Sequence, residues 1–149
     1  MPSILDRLID PQSGGTEWRH GYGVEQVLDV VRRDLEDLLN TRRTATDMPR
    51  GLPRLGSSIY AFGLPDLISL NAVTPAQRDE IARALESTIA RFEPRLHDIR
   101  ASLVSSDEDA KQRSVRFRIE AKVGADPAPE VAFETVLELT TGQHSVRPH

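Results

Sequence analysis

The 149-residue chain contains no cysteine. Disulfides, thiol nucleophiles and cysteine-ligated metal sites are therefore excluded, and the absence fits a reducing compartment. Aromatic residues make up only 5%, with Trp18 the sole tryptophan, which leaves few platforms for stacking a sugar chain. No run approaches the roughly 18 consecutive apolar residues of a membrane-crossing helix. The stretch Met1–Asp10 has no charged n-region followed by an apolar core, so it does not read as a signal peptide. Positive charge is not in excess either. The net charge of −4 argues against a general nucleic-acid binder. The balance of 38% hydrophobic and 28% charged residues is that of a folded soluble chain, and the length suits one domain. The expected location is cytoplasmic, without direct membrane insertion.

Motifs that would carry chemistry are missing too. The histidines are His20, His97, His144 and His149; no two sit four apart on a helix with a glutamate between them, so no metal and no cofactor is expected. There is no Gly-x-Ser-x-Gly elbow. Gly21-Tyr22-Gly23 precedes a helix, but no strand pattern leads into it, and Gln26 stands where a nucleotide loop has its third glycine. Acids are plentiful, and Glu93 and Asp98 lie close in sequence. A glycosidase, however, needs two carboxylates at a set separation across a cleft, which a sequence does not measure. No small-molecule substrate is expected.

What is present reads as an α+β domain: two main helices packed on one face of an antiparallel β-meander of three or more strands. Val24, Val27, Leu28, Val31, Leu35, Leu38 and Leu39 follow the helical rhythm, with Arg32–Glu36 and Asp29–Arg33 as surface pairs and Asn40 as a stop. A second helix opens on Thr74-Pro75-x-Gln77, a capping box with proline at the first position. Ile81, Leu85, Ile89 and Phe92 form its apolar face, and Pro94 ends it near Phe92 or Glu93. Three strands follow. One runs from Leu96 to about Ser105 with Ile99, Ala101 and Leu103 on one face. The next alternates from Val115 to Val123, and the third from Val131 to Leu139. Residues 142–149 form a tail that frays or adds a short edge strand.

Between the helices, residues 41–70 lose periodicity. Arg42, Arg43, Arg50 and Arg54 face a single acid, Asp47, in the first part of this loop. The cluster either meets an acidic partner surface or satisfies the loop's own carbonyls. Ser58–Phe62 is apolar enough to pin the second part to the core. At the N-terminus, Ile4, Leu5, Leu8 and Ile9 share a helical face in a segment too short to stand alone. It either packs back on its own domain or docks on a partner. Pro11–Gly15 is turn chemistry, so 1–20 reads as a flexible docking segment, 21–141 as the domain and 142–149 as the tail.

At the junction of the helical and β halves stands Glu93-Pro94-Arg95. Pro94 is explained by helix termination. The opposite charges beside it either close the corner as an internal salt bridge or face another protein.

Four stretches in order carry a resemblance: Ile4-Leu5-Asp6-Arg7-Leu8, Leu38-Leu39-Asn40-Thr41-Arg42, Ser58–Asp66 with its Gly63-Leu64-Pro65-Asp66, and Phe92-Glu93-Pro94-Arg95-Leu96. Over about residues 4–140 the chain resembles the baseplate wedge subunits of contractile injection machines, the TssE family of type VI secretion and the lysozyme-like wedge proteins of phage tails. The resemblance implies a structural, non-enzymatic subunit that links a baseplate at the inner membrane to the contractile sheath and templates sheath polymerisation by strand addition. The partners it implies are TssF, TssG, TssK and the sheath proteins. It implies partner-binding roles for Glu93, Pro94 and Arg95, with Arg95→Ala leaving the domain folded but unable to assemble. Two other functions fit less well: a peptidoglycan hydrolase using Glu93, and a regulatory binding module on the same fold.

Overall fold

The computed structural model describes residues 24–43, 51–65, 74–104, 114–124 and 129–148. Ile4, Leu5, Leu8, the Gly21-Tyr22-Gly23 turn, Arg50 and Asp66 lie outside the described residues. In chain order come α1 (Val24–Asn40), two 3-10 turns (Pro53–Ser57 and Ile59–Ala61), α2 (Pro75–Phe92), β1 (Leu96–Val104), β2 (Ser114–Val123), β3 (Glu130–Glu138) and β4 (His144–Pro148).

The apolar stripe of α1 buries Val31, Leu35, Leu38 and Leu39. Its last turn would leave carbonyls unpaired, and side chains meet them. Asn40 Nδ2 donates to Glu36 O at 2.9 Å and Thr41 Oγ1 to Asp37 O at 2.7 Å. α2 begins as its sequence dictates: Thr74 Oγ1 accepts from the Gln77 amide, and Gln77 Oε1 accepts from the Thr74 amide. Ile81, Leu85 and Ile89 are fully buried beneath it.

The four strands pair antiparallel in the order β1-β2-β3-β4. Ile119 faces Phe133 and Phe117 faces Thr135 across β2 and β3. Period-two alternation sends Val115, Phe117, Ile119, Ala121 and Val123 to the core, while the guanidiniums of Arg116 and Arg118 approach Glu134 on the opposite face at 3.6 and 3.8 Å. Both helices cover the inward face, α2 over β1 and α1 over β4. Of the two expectations for residues 142–149, the edge strand is what forms, over His144–Pro148.

Two local expectations need correcting. Ser58–Phe62 pins the loop through only part of its apolar residues: Ile59 and Tyr60 point outward, Ile59 being 92% exposed. Ala61, Phe62 and Leu64 do the anchoring. Phe62 meets Phe92 edge to face, with ring centroids 5.3 Å apart. Leu103 shares a strand face with Ile99 and Ala101, but only those two pack on the core; Leu103 is 37% exposed. The register of β1 also shifts between His97 and Arg100, where Asp98 adopts a left-handed φ of 53°. A Lys122–Asp98 ion pair at 2.9 Å spans this irregularity.

His144 opens β4 in a buried position, with its ring Nδ1 3.2 Å from Thr135 Oγ1. Burial pushes it down to about 4 from an ordinary 6.5. The unfolded chain takes up a proton at this ring below about pH 6.5, whereas the folded chain does so only near pH 4. The stability contributed by the neutral ring is therefore complete above pH 6.5 and is lost as pH falls toward 4. Urea denaturation of the wild type and His144→Gln tests this. Between pH 7 and 4.5 the wild type should lose roughly 2–3 kcal/mol more than the variant. Parallel curves for the two proteins would refute it.

Candidate functional site

The corner at the end of α2 is a closed ionic knot. Proline at position 94 ends the helix; Glu93 caps it, its amide donating to Ile89 O at 2.8 Å, and the Leu96 amide turns back to Glu93 O at 3.1 Å. Residues two apart diverge on a helix, but outside one they can face each other. Arg95 folds back accordingly: its backbone amide and Nε both donate to Glu93 Oε1, at 3.2 and 2.6 Å, and its Nη2 donates to Glu93 Oε2. The same Nη2 reaches Asp34 Oδ2 of α1 at 2.6 Å. Hydrogen bonds to Glu93 first, and then to Asp34, outweigh burial and hold the guanidinium protonated beyond its already high range.

Glu93 is only 4% exposed. The choice left open by the sequence is thus decided for this chain by itself: Glu93 pairs internally and does not present its carboxylate to solvent. Pro94 is exposed and Arg95 half-buried, so these two form the outer surface of the corner. The Arg95 carbonyl is also engaged, accepting from the Gly124 amide at 2.8 Å and tying the start of β1 to the end of β2.

The arginine loop is fastened nearby. Arg42 and Leu64 form an isolated parallel bridge, in which the Arg43 amide donates to Leu64 O and the Leu64 amide to Thr41 O, both at 2.8 Å. Gly63 is required there. Its φ is +101°, and a Cβ would sit 2.3 Å from Thr41 O. The loop's hydrogen bonds here come from backbone amides. The Arg42 side chain is exposed, beside a cleft of about 470 Å³ that Glu36 and Glu138 also line. Acids from α1 and the end of β3 therefore border the arginine cluster here.

Asp34 was not among the residues singled out from the sequence. A signal exists: Val27, Val31, Asp34 and Leu38 form one ladder on the helix, so a carboxylate interrupts the apolar stripe. Among the described residues, no group of His, Asp or Glu side chains could hold a metal ion.

Three of the stretches behind the resemblance meet in this region. Thr41–Arg42 joins Leu64, Phe62 packs on Phe92, and Arg95 returns to α1 through Asp34. The profile of the family described as "Baseplate wedge protein gp25" matches residues 25–128, which span α1 through β2. The chain belongs to the baseplate wedge protein gp25 family. A chain of a solved structure described as "The baseplate complex from the type VI secretion system" superposes with a TM-score of 0.52 at 17% identity, covering 75% of this chain and 94% of that one. At that identity the likeness establishes a shared fold. No curated protein matches the chain.

The knot makes a prediction about this family member. Removing one member of a buried ion pair strands the other, so Arg95→Ala should destabilise the domain by about 3–5 kcal/mol in urea denaturation. Replacing Glu93 and Arg95 together by leucine and methionine should recover most of that loss. A cost below about 1 kcal/mol for Arg95→Ala would show the knot to be energetically idle.

Proposed function

We propose that this chain is a structural wedge subunit of a contractile injection machine of the type VI secretion kind. It ties the baseplate to the sheath and starts sheath polymerisation by accepting a sheath strand on its sheet. Membership of the baseplate wedge family carries this reading; the fold shared with a type VI baseplate chain supports it. An antiparallel sheet with two terminal strands offers the backbone edge that strand addition needs. In this reading the outer surface of the corner, Pro94 and Arg95, together with exposed Arg42, meets the other wedge subunits, TssF, TssG and TssK. The assembly sits in the cytoplasm against the inner membrane. Among the described residues, no helix is long and apolar enough to cross a membrane.

The geometry of Glu93 favours a structural over a hydrolytic role. A general acid must offer an oxygen to a substrate in a cleft. Glu93 is buried, and both of its oxygens are held by Arg95.

Reconstitution tests the reading. The purified chain should co-elute with the wedge subunits, and Arg42→Glu should weaken that association about tenfold by reversing a rim charge, with the circular dichroism unchanged. The same chain should release no fragments from cell-wall sacculi. Failure to join the wedge, or sacculus turnover that is lost in Glu93→Gln, would sink the proposal.

A further inference from the structure

The two edges of the sheet are not equivalent. On β4, the side-chain amide of Asn40 acts like the peptide group of a neighbouring strand: the His144 amide donates to Asn40 Oδ1 at 2.9 Å, and Asn40 Nδ2 donates to His144 O at 2.8 Å. Both outward backbone groups are thus occupied at one end of a five-residue strand. At its other end Pro148 has no N–H to offer. That edge is therefore blunted by the chain itself at both ends.

β1 is nine residues long and closed by less. On its open side the Ala101 amide donates to Glu86 Oε1 of α2 at 2.7 Å. Antiparallel alternation turns the N–H and C=O of Leu103 in the same outward direction. The irregularity lies between His97 and Arg100; from Arg100 to Val104 the register against Glu120–Arg116 is unbroken. The Leu103 side chain pairs across to Phe117 on the core face, yet it is 37% exposed where Phe117 is 0%. An apolar residue left open on the core face of an edge strand is what one more strand would cover. Toward the other end of the strand, a groove of about 560 Å³ runs between α2, at Arg83, Glu86, Ser87 and Ala90, and the start of β1.

Resting on the function proposed above, we propose that Arg100–Val104 is the edge that accepts an extended segment of the sheath protein, and that Glu86 is a displaceable cap on that edge. A carboxylate satisfies the Ala101 N–H but has no donor for the carbonyls beside it. An incoming backbone supplies both, and an apolar side chain on it closes over Leu103. Until then the charged cap keeps this edge from pairing with other edges, including its own copies.

The test titrates the full-length chain with the sheath protein of the same machine and follows amide hydrogen exchange. Binding should slow exchange at Leu103. Ala101→Pro removes the outward N–H without taking a donor from the ladder to β2, and Leu103→Lys leaves the backbone intact and carries the test if the proline variant does not fold. Each should weaken binding at least about tenfold. Glu86→Ala should strengthen it about fivefold, one hydrogen bond no longer having to be displaced. Protection at Val146 with unchanged binding by these variants would overturn the inference and leave the proposed function standing. Absence of any sheath binding, with the wedge subunits still bound, would instead remove the sheath contact itself. A sheath-free dimer protected at Leu103 would assign the edge to a second copy and overturn the proposal.

Discussion

The buried carboxylate of Glu93 is the constraint on which the rest of the arrangement depends. A charge out of water is tolerated only with a partner of good geometry, and the several kcal/mol at stake make that partner compulsory. Arg95 provides it from two residues away, because Pro94 has already taken the chain out of the helix. Three things then follow from one guanidinium. The path of the chain from α2 into β1 is fixed, α1 is held at Asp34, and the Arg95 carbonyl is left aimed at the end of β2. Opposite charges on either side of the proline are explained by this folding task before any partner is considered. A partner can still read the outer surface of the corner, but it does not create the pairing.

The extent to which the sequence disclosed this follows the range of each interaction. The ends of α2 were legible because Thr74, Pro75, Gln77 and Pro94 act within one turn. β2 and β3 were legible because alternation is imposed residue by residue. The role of Asp34 was not, since its partner stands 61 residues away. Asn40 read as a helix stop and is one, yet the same amide also closes β4 at a separation of 104 residues. Ile59 and Tyr60 misled for a different reason: composition counts apolar residues, whereas a 3-10 turn decides which of them can face inward.

The weakness of each family motif taken alone has a structural cause. Each is half of a contact. Thr41 and Arg42 make sense only against Gly63, whose missing side chain leaves room for the Thr41 carbonyl, and Leu64, whose amide donates to it. Phe62 makes sense only against Phe92. Read singly, these are a helix end, a turn and a proline corner, features found in many folds. Together they describe one fastening of loop, helix and strand.

The corner and the sheet edge are mechanically one device. β1 starts at the corner, so its position over α2 is set by the Arg95 contacts to Glu93 and to the Gly124 amide. That position places the Ala101 amide within reach of Glu86, fifteen residues back along the chain. A loosened corner would let β1 slide relative to α2. Glu86 would then lose its target, and a bare, apolar-flanked edge would remain. The rigidity of the ion knot and the controlled openness of the edge therefore go together. The first keeps the second exposed in a single register, so that an added strand meets one geometry and no other. Under the function proposed above, a surface that starts a polymer needs that property more than it needs affinity, because a strand added one residue out of register turns every side chain to the wrong face.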